Sequence, residues 1–313
     1  MEAGRAGQAL RYRRVQVRVP ATTANLGSGF DVLGLALQLY NTFTLTVTAE
    51  PGWRVEGPPG LAVPRDDRNL FYHAARRLFS RLGVVPEGLR LALQVDIPLA
   101  RGLGSSASAI VGGLLAANAL LGQPLPAAAL LALAVELEGH PDNVTPALVG
   151  GLTLAYRIDS EPRYLSLPFP HELSLLLAIP ELEVPTHQAR AVLPAQVSRA
   201  DAVFNCSRTA LWVYALQNRR YDLLAVAMED RLHQPYRTAL VPALPEALAA
   251  GYRAGALGVA LSGAGPTVVA ITQGAEAAVA AALQEAFARH GLACQVRCVR
   301  ADNQGATVLG VDP

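Results

Sequence analysis

The stretch "IPLARGLGSSASAIVGGLLAANALL", Ile97 to Leu121, places a loop rich in glycine and serine directly before a long apolar run. Successive backbone N–H groups in a glycine-rich turn form a concave donor surface. A helix that begins just after such a turn adds four unpaired N–H groups and the positive end of its dipole. The stretch therefore predicts a core helix whose N-terminus binds an anion, and it favours a phosphate.

Two kinds of residue in this loop fit a phosphate site. Gly102 and Gly104 let the backbone approach a phosphate closely, and Ser105, Ser106 and Ser108 offer hydroxyl groups to a phosphate or a metal ion. Taken alone, the segment also fits an ordinary capped helix with a flexible entry. Both interpretations stay open at this point.

Two other polar segments are punctuated by glycine in the same way. "PATTANLGSGFDVLG" runs from Pro20 to Gly34 and "LSGAGPT" from Leu261 to Thr267, and both are expected to be loops between strands. Long loops without secondary structure are uncommon unless they are functional. Three such loops in one chain indicate a phosphorylated ligand that is enclosed from several sides.

The composition excludes several classes of function. The chain has 313 residues and a net charge of +1, so we expect no nucleic-acid or membrane partner. All 26 basic residues are arginine, which excludes a Walker A loop, Schiff-base chemistry and a lysine base. The most apolar region is interrupted by Gln123, Pro124 and Pro126, so it predicts two core helices and no membrane span.

Strand and helix patterns alternate along the chain, which places it in a mixed α/β or α+β class. Period-two patterns predict strands within 15–20, 41–50, 89–98, 150–159, 173–186, 258–272 and 292–301. Helical patterns occur at 68–83, after the glycine loop, and at 126–139, 199–218, 221–237 and 275–291. The segment 160–172 is the best candidate for a boundary, which gives expected domains at 1–165 and 166–313.

The chain has three cysteines, Cys206, Cys294 and Cys298, without a CxxC pair. We expect buried, reduced thiols and a cytoplasmic location.

The three loops together resemble motifs of a known family. "PLARGLGSSASA" resembles the ATP loop of the GHMP kinases, "VPATTANLGSGFDVLG" resembles their first motif and "LSGAGPT" their third, in the same order. The likeness spans about residues 17 to 267. It implies the α+β, two-domain GHMP kinase fold, with an N-terminal S5-domain-2-like domain and a C-terminal ferredoxin-like domain. It also implies ATP and Mg²⁺ as cofactors.

Three more segments resemble one branch of that family, the homoserine kinases. They are "ELEGHPDNVTPALVGG" at 136–151, "THQARAVLP" at 186–194 and "EDRLHQPYR" at 229–237. The mevalonate-type kinases usually have a serine-glycine-aspartate arrangement near the position of "HPDN", which this chain lacks. The resemblance implies phosphorylation of the hydroxyl group of L-homoserine to O-phospho-L-homoserine in threonine biosynthesis.

The resemblance also implies residue roles. A planar guanidinium suits an α-carboxylate, and the implied substrate-binding residues are Asn25, Asp31, His140, Asp142, Arg190 and Arg237. The implied catalytic residues are Asp142, Glu138, Ser106 and Thr186. Ser106 and Glu138 are the implied Mg²⁺ ligands, and Glu136 stays open in place of Glu138. The implied ATP-binding residues are Asn69, Pro98, Leu99, Ala100, Arg101, Gly102, Leu103, Gly104, Ser105, Ser106, Ala107, Ser108, Gly263 and Gly265.

Other functions remain open at this point. The substrate of a GHMP kinase could be another small alcohol, mevalonate-like or a sugar, and the scaffold could serve a non-catalytic nucleotide-binding protein. A dinucleotide-dependent oxidoreductase is disfavoured, because "GSGFDVLG" lacks the G-x-G-x-x-G spacing. The sequence does not give the oligomeric state, and a homodimer stays open.

Overall fold

The computed structural model describes residues 10–57 and 63–313. The strands are β1 Arg14–Ala24, β2 Leu33–Thr48, β3 Gly52–Glu56, β4 Gly88–Val95, β5 Leu152–Ile158, β6 Glu161–Leu167, β7 Ser174–Pro180, β8 Gly258–Leu261, β9 Val268–Thr272, β10 Cys294–Val299 and β11 Thr307–Asp312. The helices are α1 Leu70–Arg81, α2 Ser105–Leu120, α3 Ala127–Glu138, α4 Pro141–Val149, α5 Thr186–Ala191, α6 Arg199–Gln217, α7 Leu224–Ala227, α8 Gln234–Arg237, α9 Leu244–Arg253 and α10 Glu276–Arg289.

The first sheet has seven strands and carries the N-terminal half of the fold. Its strand order is β11-β1-β2-β4-β3, and β5 pairs with β2 and then with β6. In β1 the side chains of Val15, Val17 and Val19 point to one buried face, as the alternating pattern predicts. That face packs against α1, α2 and α3.

Helix α2 is the centre of this layer. Twelve of its sixteen residues are buried, so it is covered on nearly all sides. Because the helix is held by the core, its N-terminus at Ser105 has a fixed position beside the end of β1, where the Thr22 N–H donates to Leu103 O at 3.1 Å. The core helix predicted after the glycine loop is therefore confirmed.

The second sheet has four antiparallel strands in the order β10-β7-β9-β8. Helices α5 to α9 connect β7 to β8, and α10 connects β9 to β10. This βαββαβ order is that of a ferredoxin-like domain, so the predicted α+β class with a ferredoxin-like second part is confirmed. Helices α9 and α10 pack on one face of this sheet.

The two sheets share a hydrophobic core. Leu35 of β2, Leu175 of β7 and Trp212 of α6 belong to one buried cluster. Strand β11 then returns to pair with β1. The expected domain limit at 165/166 falls inside β6, and the division into 1–165 and 166–313 stays a prediction.

The first glycine segment differs from its expected form. Strand β1 continues through Pro20–Ala24 because these residues pair with β2, and β2 begins again at Leu33. The expected loop at 20–34 is therefore wrong at both ends, and only residues 25–32 connect the strands. Asn25, Leu26 and Asp31 in this turn have positive φ angles of 70°, 47° and 58°.

The expected helix at 221–237 is also wrong. The segment forms a 3-10 turn at Tyr221–Leu223, the short helix α7 and, after a break, the short helix α8. The break has a local cause, because the carboxylate of Asp230 accepts hydrogen bonds from the backbone N–H groups of Leu232, His233 and Gln234. These N–H groups would otherwise remain in the helical ladder.

The predicted burial of the cysteines is wrong as well. All three are free thiols, but Cys206 and Cys298 are exposed and Cys294 is half-buried. Within 10–57 and 63–313, no helix combines the length and the apolar character that a membrane crossing requires.

Candidate active site

The glycine loop lies against the first and third glycine segments. Gly102 and Gly104 have φ angles of 72° and 68°. A Cβ atom at Gly104 would lie 1.9 Å from Thr22 Oγ1, and one at Gly102 would lie 2.3 Å from Ser262 O. Glycine is therefore required at both positions by the backbone angle and by the close approach of neighbouring atoms.

Hydrogen bonds join the three segments. Ser262 Oγ donates to Gly102 O at 2.6 Å, and Asn25 Nδ2 donates to Gly263 O at 3.0 Å. These contacts connect residues that are 160 and 238 positions apart in the sequence. The prediction that the three loops meet at one site agrees with this geometry.

The loops border one cavity of about 460 Å³. The residues singled out from the sequence that line it are Asn25, Asp31, Asn69, Leu99, Ala100, Arg101, Gly102, Leu103, Gly104, Ser105, Ser106, Glu138, His140, Asp142, Thr186, Arg190, Arg237 and Gly263. The helix α2 has no side-chain cap, so its first N–H groups remain available to an anion in this cavity.

Four of the expected ATP-binding residues do not line the cavity, namely Pro98, Ala107, Ser108 and Gly265. Ser108 is fully buried and its Oγ accepts a hydrogen bond from Asn41 Nδ2 at 3.1 Å. Its hydroxyl therefore faces the core, one turn into α2, and stabilises the neighbouring strand.

Ser106 and Glu138 face each other in the cavity wall. Ser106 Oγ donates to Glu138 Oε1 at 2.6 Å. Burial raises the pKa of the Glu138 carboxyl group, although the hydrogen bond from Ser106 acts in the opposite direction. Glu136, the other candidate, forms an ion pair with Arg77 at 2.9 Å on the exposed side of α3. The geometry thus places Glu138 in the cavity and Glu136 outside it.

A second polar cluster lies at the start of α4. His140 Nδ1 is 2.6 Å from Asp142 Oδ1, and Asp142 is almost completely buried. Burial lowers the pKa of His140, but the hydrogen bond and the charges of Asp142 and Glu138 outweigh it, so the net pKa is raised. The next residue, Asn143, accepts a hydrogen bond from Thr22 Oγ1 at 2.7 Å.

Two arginines also line the cavity. Arg190 makes a bidentate pair with Asp31, at 3.0 Å from Nη1 and 2.7 Å from Nη2. Arg237 is 2% exposed, and no carboxylate of the described residues lies within salt-bridge distance of it. Burial and the charge of Arg190 lower the pKa of Arg237 to about 10. A buried guanidinium without a carboxylate partner attracts an anionic ligand.

Asn69 has a structural function that the sequence did not reveal. Its Oδ1 accepts from the N–H groups of Phe71 and Tyr72 and caps α1, while its Nδ2 donates to Pro64 O. Its amide group is thus largely occupied, so Asn69 shapes the cavity wall at the end that is lined by apolar side chains such as Leu93 and Val95.

Sequence reasoning also missed several lining residues, of which Phe30, Asn41, Arg68 and Asn143 are the most informative. Asn143 lies inside the quoted "HPDN", so its position next to Asp142 was a usable signal. Phe30 also lies inside a quoted segment, "PATTANLGSGFDVLG", so its position was a usable signal too. Arg68 had none, because an isolated arginine residue is usually structural.

The two-sheet fold places an uncapped helix N-terminus, which suits an anion, beside a cluster of opposite charges in one cavity. Residues 69–151 match the family model described as "GHMP kinases N terminal domain", and residues 212–289 match "GHMP kinases C terminal". The chain belongs to the GHMP kinase family.

Within this family the chain is similar to homoserine kinases over nearly its whole length. It is 46% identical to the homoserine kinase of Moorella thermoacetica over 293 residues, which cover 94% of this chain and 99% of the relative. It is 44% identical to the homoserine kinase of Aquifex aeolicus over 295 residues, which cover 94% of this chain and 99% of that protein.

Comparison with solved structures also finds similarity to a homoserine kinase. The crystal structure of homoserine kinase from Cytophaga hutchinsonii has a TM-score of 0.87 at 31% identity and covers 96% of this chain and 99% of that one. Mevalonate kinase of L. major, at 18% identity and a TM-score of 0.74 over 94% of this chain and 99% of that one, shares the fold.

Proposed function

We propose that this chain transfers the γ-phosphoryl group of ATP to the side-chain hydroxyl group of L-homoserine, giving O-phospho-L-homoserine for threonine synthesis. The observation that carries the proposal is the cavity of about 460 Å³, which joins a loop suited to an anion to a charge pattern that suits an amino acid. The identity of 44–46% to homoserine kinases over most of the chain supports it.

The nucleotide end of the cavity is proposed to lie along the glycine loop and α2. The N–H groups at the start of α2 and the hydroxyl groups of Ser105 and Ser106 would bind the phosphates of ATP. Arg101 adds a positive charge within the loop itself. The adenine base would occupy the apolar end, against the wall that Asn69 shapes.

The substrate end is proposed to hold homoserine by both of its charged groups. Arg237 and Arg190 would bind the α-carboxylate, since both guanidinium groups line the cavity and Arg237 forms no salt bridge with a carboxylate of the described residues. Asp142, Asp31 and the amide of Asn25 would bind the ammonium group. Arg190 is already paired with Asp31, so we expect the bound amino acid to bridge these two side chains.

Ser106 and Glu138 are proposed to hold Mg²⁺. Their oxygens lie 2.6 Å apart in the cavity wall, and a hydroxyl with a carboxylate is a suitable donor set for this ion. In the described ranges, no group of three or more His, Cys, Asp or Glu side chains is placed to hold a metal ion. Mg²⁺ typically takes one or two protein oxygens and completes its shell with phosphates and water. When bound, the ion would neutralise charge on the transferred phosphoryl group.

The reaction that this geometry supports is a direct in-line displacement. The homoserine oxygen forms a bond to the γ-phosphorus while the bond to the ADP oxygen breaks. Thr186 lines the cavity and would donate a hydrogen bond to the γ-phosphate. We propose that Asp142, whose Oδ1 already lies 2.6 Å from His140 Nδ1, binds the ammonium group and is not a general base. The hydroxyl proton leaves to phosphate or solvent.

An ADP-release assay with MgATP tests this function. It compares L-homoserine, D-homoserine, L-serine, mevalonate and galactose as acceptors. Selective turnover of L-homoserine is the expected result. Turnover of mevalonate or galactose would keep the ATP site and contradict the substrate, and ATP binding without any turnover would point to a non-catalytic binding protein.

A cytoplasmic location is part of the proposal. The three cysteines are free thiols, two of them exposed, which suits a reducing compartment.

A further inference from the structure

Arg237 is held in a frame of three hydrogen-bond acceptors. Its Nε donates to Ala189 O at 3.2 Å, and its Nη1 donates to Gly263 O at 2.7 Å. The same Nη1 lies 3.1 Å from Nδ1 of His233. Two of these acceptors are uncharged carbonyl groups, and the third is an imidazole nitrogen that is uncharged when the ring is neutral. A buried guanidinium is more commonly paired with a carboxylate.

The partners of His233 define its protonation. Its Nε2 is 2.8 Å from Gly27 O, and because a carbonyl oxygen only accepts, Nε2 must carry the proton. In a neutral ring Nδ1 then has a free lone pair and accepts from Arg237. His233 is fully buried, and burial lowers its pKa to about 4, although the buried carboxylate of Asp230, 3.5 Å from Nε2, acts in the opposite direction. The ring is therefore neutral at pH 7.

Phe30 completes the arrangement. Its ring stacks on His233 with centroids 5.3 Å apart and an interplanar angle of 24°. The guanidinium carbons of Arg190 and Arg237 lie 5.7 Å and 5.5 Å from the centre of the same ring. The two arginines of the proposed carboxylate site therefore both pack on the ring of Phe30, and this ring stacks on His233.

We infer that His233 is a positioning residue for substrate recognition: it fixes the orientation of Arg237 without neutralising its charge. This inference rests on the proposed function, in which Arg237 binds the substrate carboxylate. An aspartate or glutamate in the place of His233 would also accept the hydrogen bond, but its charge would compete with the ligand for Arg237. A neutral imidazole accepts the hydrogen bond from the guanidinium and adds no negative charge, so the positive charge of Arg237 stays available to the substrate carboxylate.

The variants His233→Asn and His233→Leu form a matched pair for this inference. Both side chains branch at Cγ and are too short to keep the contact with Gly27 O. Only asparagine offers an acceptor near Arg237. His171→Leu, at a histidine whose side chain is 95% exposed, is the control for loss of an imidazole.

With L-homoserine, we expect KM to be about ten-fold or more higher in His233→Leu than in His233→Asn, because a hydrogen bond to a charged group is lost. KM for ATP should be the same in both variants. With 3-amino-1-propanol, which has no carboxylate, kcat/KM should also be the same in both. A general structural defect would lower kcat/KM for L-homoserine and for 3-amino-1-propanol alike.

Equal homoserine KM values in the two variants overturn the inference, and so does an equal loss with 3-amino-1-propanol. Arg237→Met separates the two levels of the argument. If Arg237→Met raises KM for homoserine while His233→Asn and His233→Leu have equal KM values for homoserine, the inference fails and the proposed carboxylate site stands. If it leaves homoserine KM unchanged, the proposed carboxylate site fails and the inference with it.

A measurement on the unmodified chain keeps the inference testable if His233→Leu does not fold. Long-range ¹H–¹⁵N correlation spectra of labelled protein report which ring nitrogen carries the proton. We expect the Nε2–H form of His233 to persist from pH 8 to pH 5. A His233 ring that titrates near its ordinary pKa of 6.5 would overturn the inference.

Discussion

Gly102→Ala tests whether the phosphate loop needs its close contact with the third glycine segment. The φ angle of Gly102 is 72°, and an alanine Cβ there would lie 2.3 Å from Ser262 O, 2.8 Å from Gly265 O and 3.0 Å from Gly265 N. All three atoms belong to the backbone, so the two segments must move apart.

Gly83→Ala is a matched control for this substitution. Gly83 follows helix α1 and has a φ angle of 70°, but an added Cβ meets nothing within 4 Å. Both variants carry the strain of a left-handed alanine, about 1–2 kcal/mol. Only Gly102→Ala adds the overlap, which costs about 1–3 kcal/mol more by analogy with overpacked cores.

Urea unfolding followed by circular dichroism, together with ATP kinetics, provides the assay. We expect Gly102→Ala to lose about 2–5 kcal/mol of unfolding free energy and Gly83→Ala about 1–2 kcal/mol. KM for ATP should rise only in Gly102→Ala, since its loop is displaced. Equal destabilisation in the two variants, or an unchanged KM for ATP in Gly102→Ala, would refute the argument.

Three further predictions follow from the other cavity residues. Asp142→Asn should raise homoserine KM about ten-fold or more and at least as much as it lowers kcat; a large loss of kcat at saturating homoserine would show that Asp142 does more than bind. Glu138→Gln should weaken Mn²⁺ binding to the ATP complex about ten-fold or more in an EPR titration, whereas Glu136→Gln should match the parent, and equal effects would remove Glu138 from the proposed metal site. The pKa of His140 is raised in the folded protein, so its protonated form stabilises the fold. The unfolding free energy lost in His140→Gln should therefore be largest below pH 6.5 and should fade as the pH rises through the raised pKa. A loss that is constant from pH 5 to pH 9 in urea unfolding would contradict this.

The sequence by itself determined the features that depend on neighbouring residues. The loop with Gly102 and Gly104, the core helix after it and most of the strands follow from local patterns, because a helix N-terminus and a glycine turn are formed by residues within a few positions of each other. The meeting of the three loops joins residues 160 and 238 positions apart, so it does not follow from local patterns. It was predicted because three polar glycine loops suit one phosphorylated ligand and because their motifs resemble those of one family in the same order.

Local patterns failed where a side chain redirected the backbone. The expected helix at 221–237 is broken because Asp230 captures three backbone N–H groups, and its acidic side chain looked like an ordinary surface residue. Asn69, which the family resemblance places at the ATP site, lines the cavity, and its amide also caps α1.

Only the tertiary structure decided which charges meet. Arg190 and Asp31 are 159 positions apart in the sequence, and the sequence pattern gave no reason to pair them. The contact of His233 Nε2 with Gly27 O spans 206 positions, and it fixes the tautomer that receives Arg237. Hydrogen bonds between residues so far apart in the sequence, and the burial of these residues, depend on how the two sheets pack around their shared core. The sequence therefore determined which residue types are available. The fold determined their partners and their protonation.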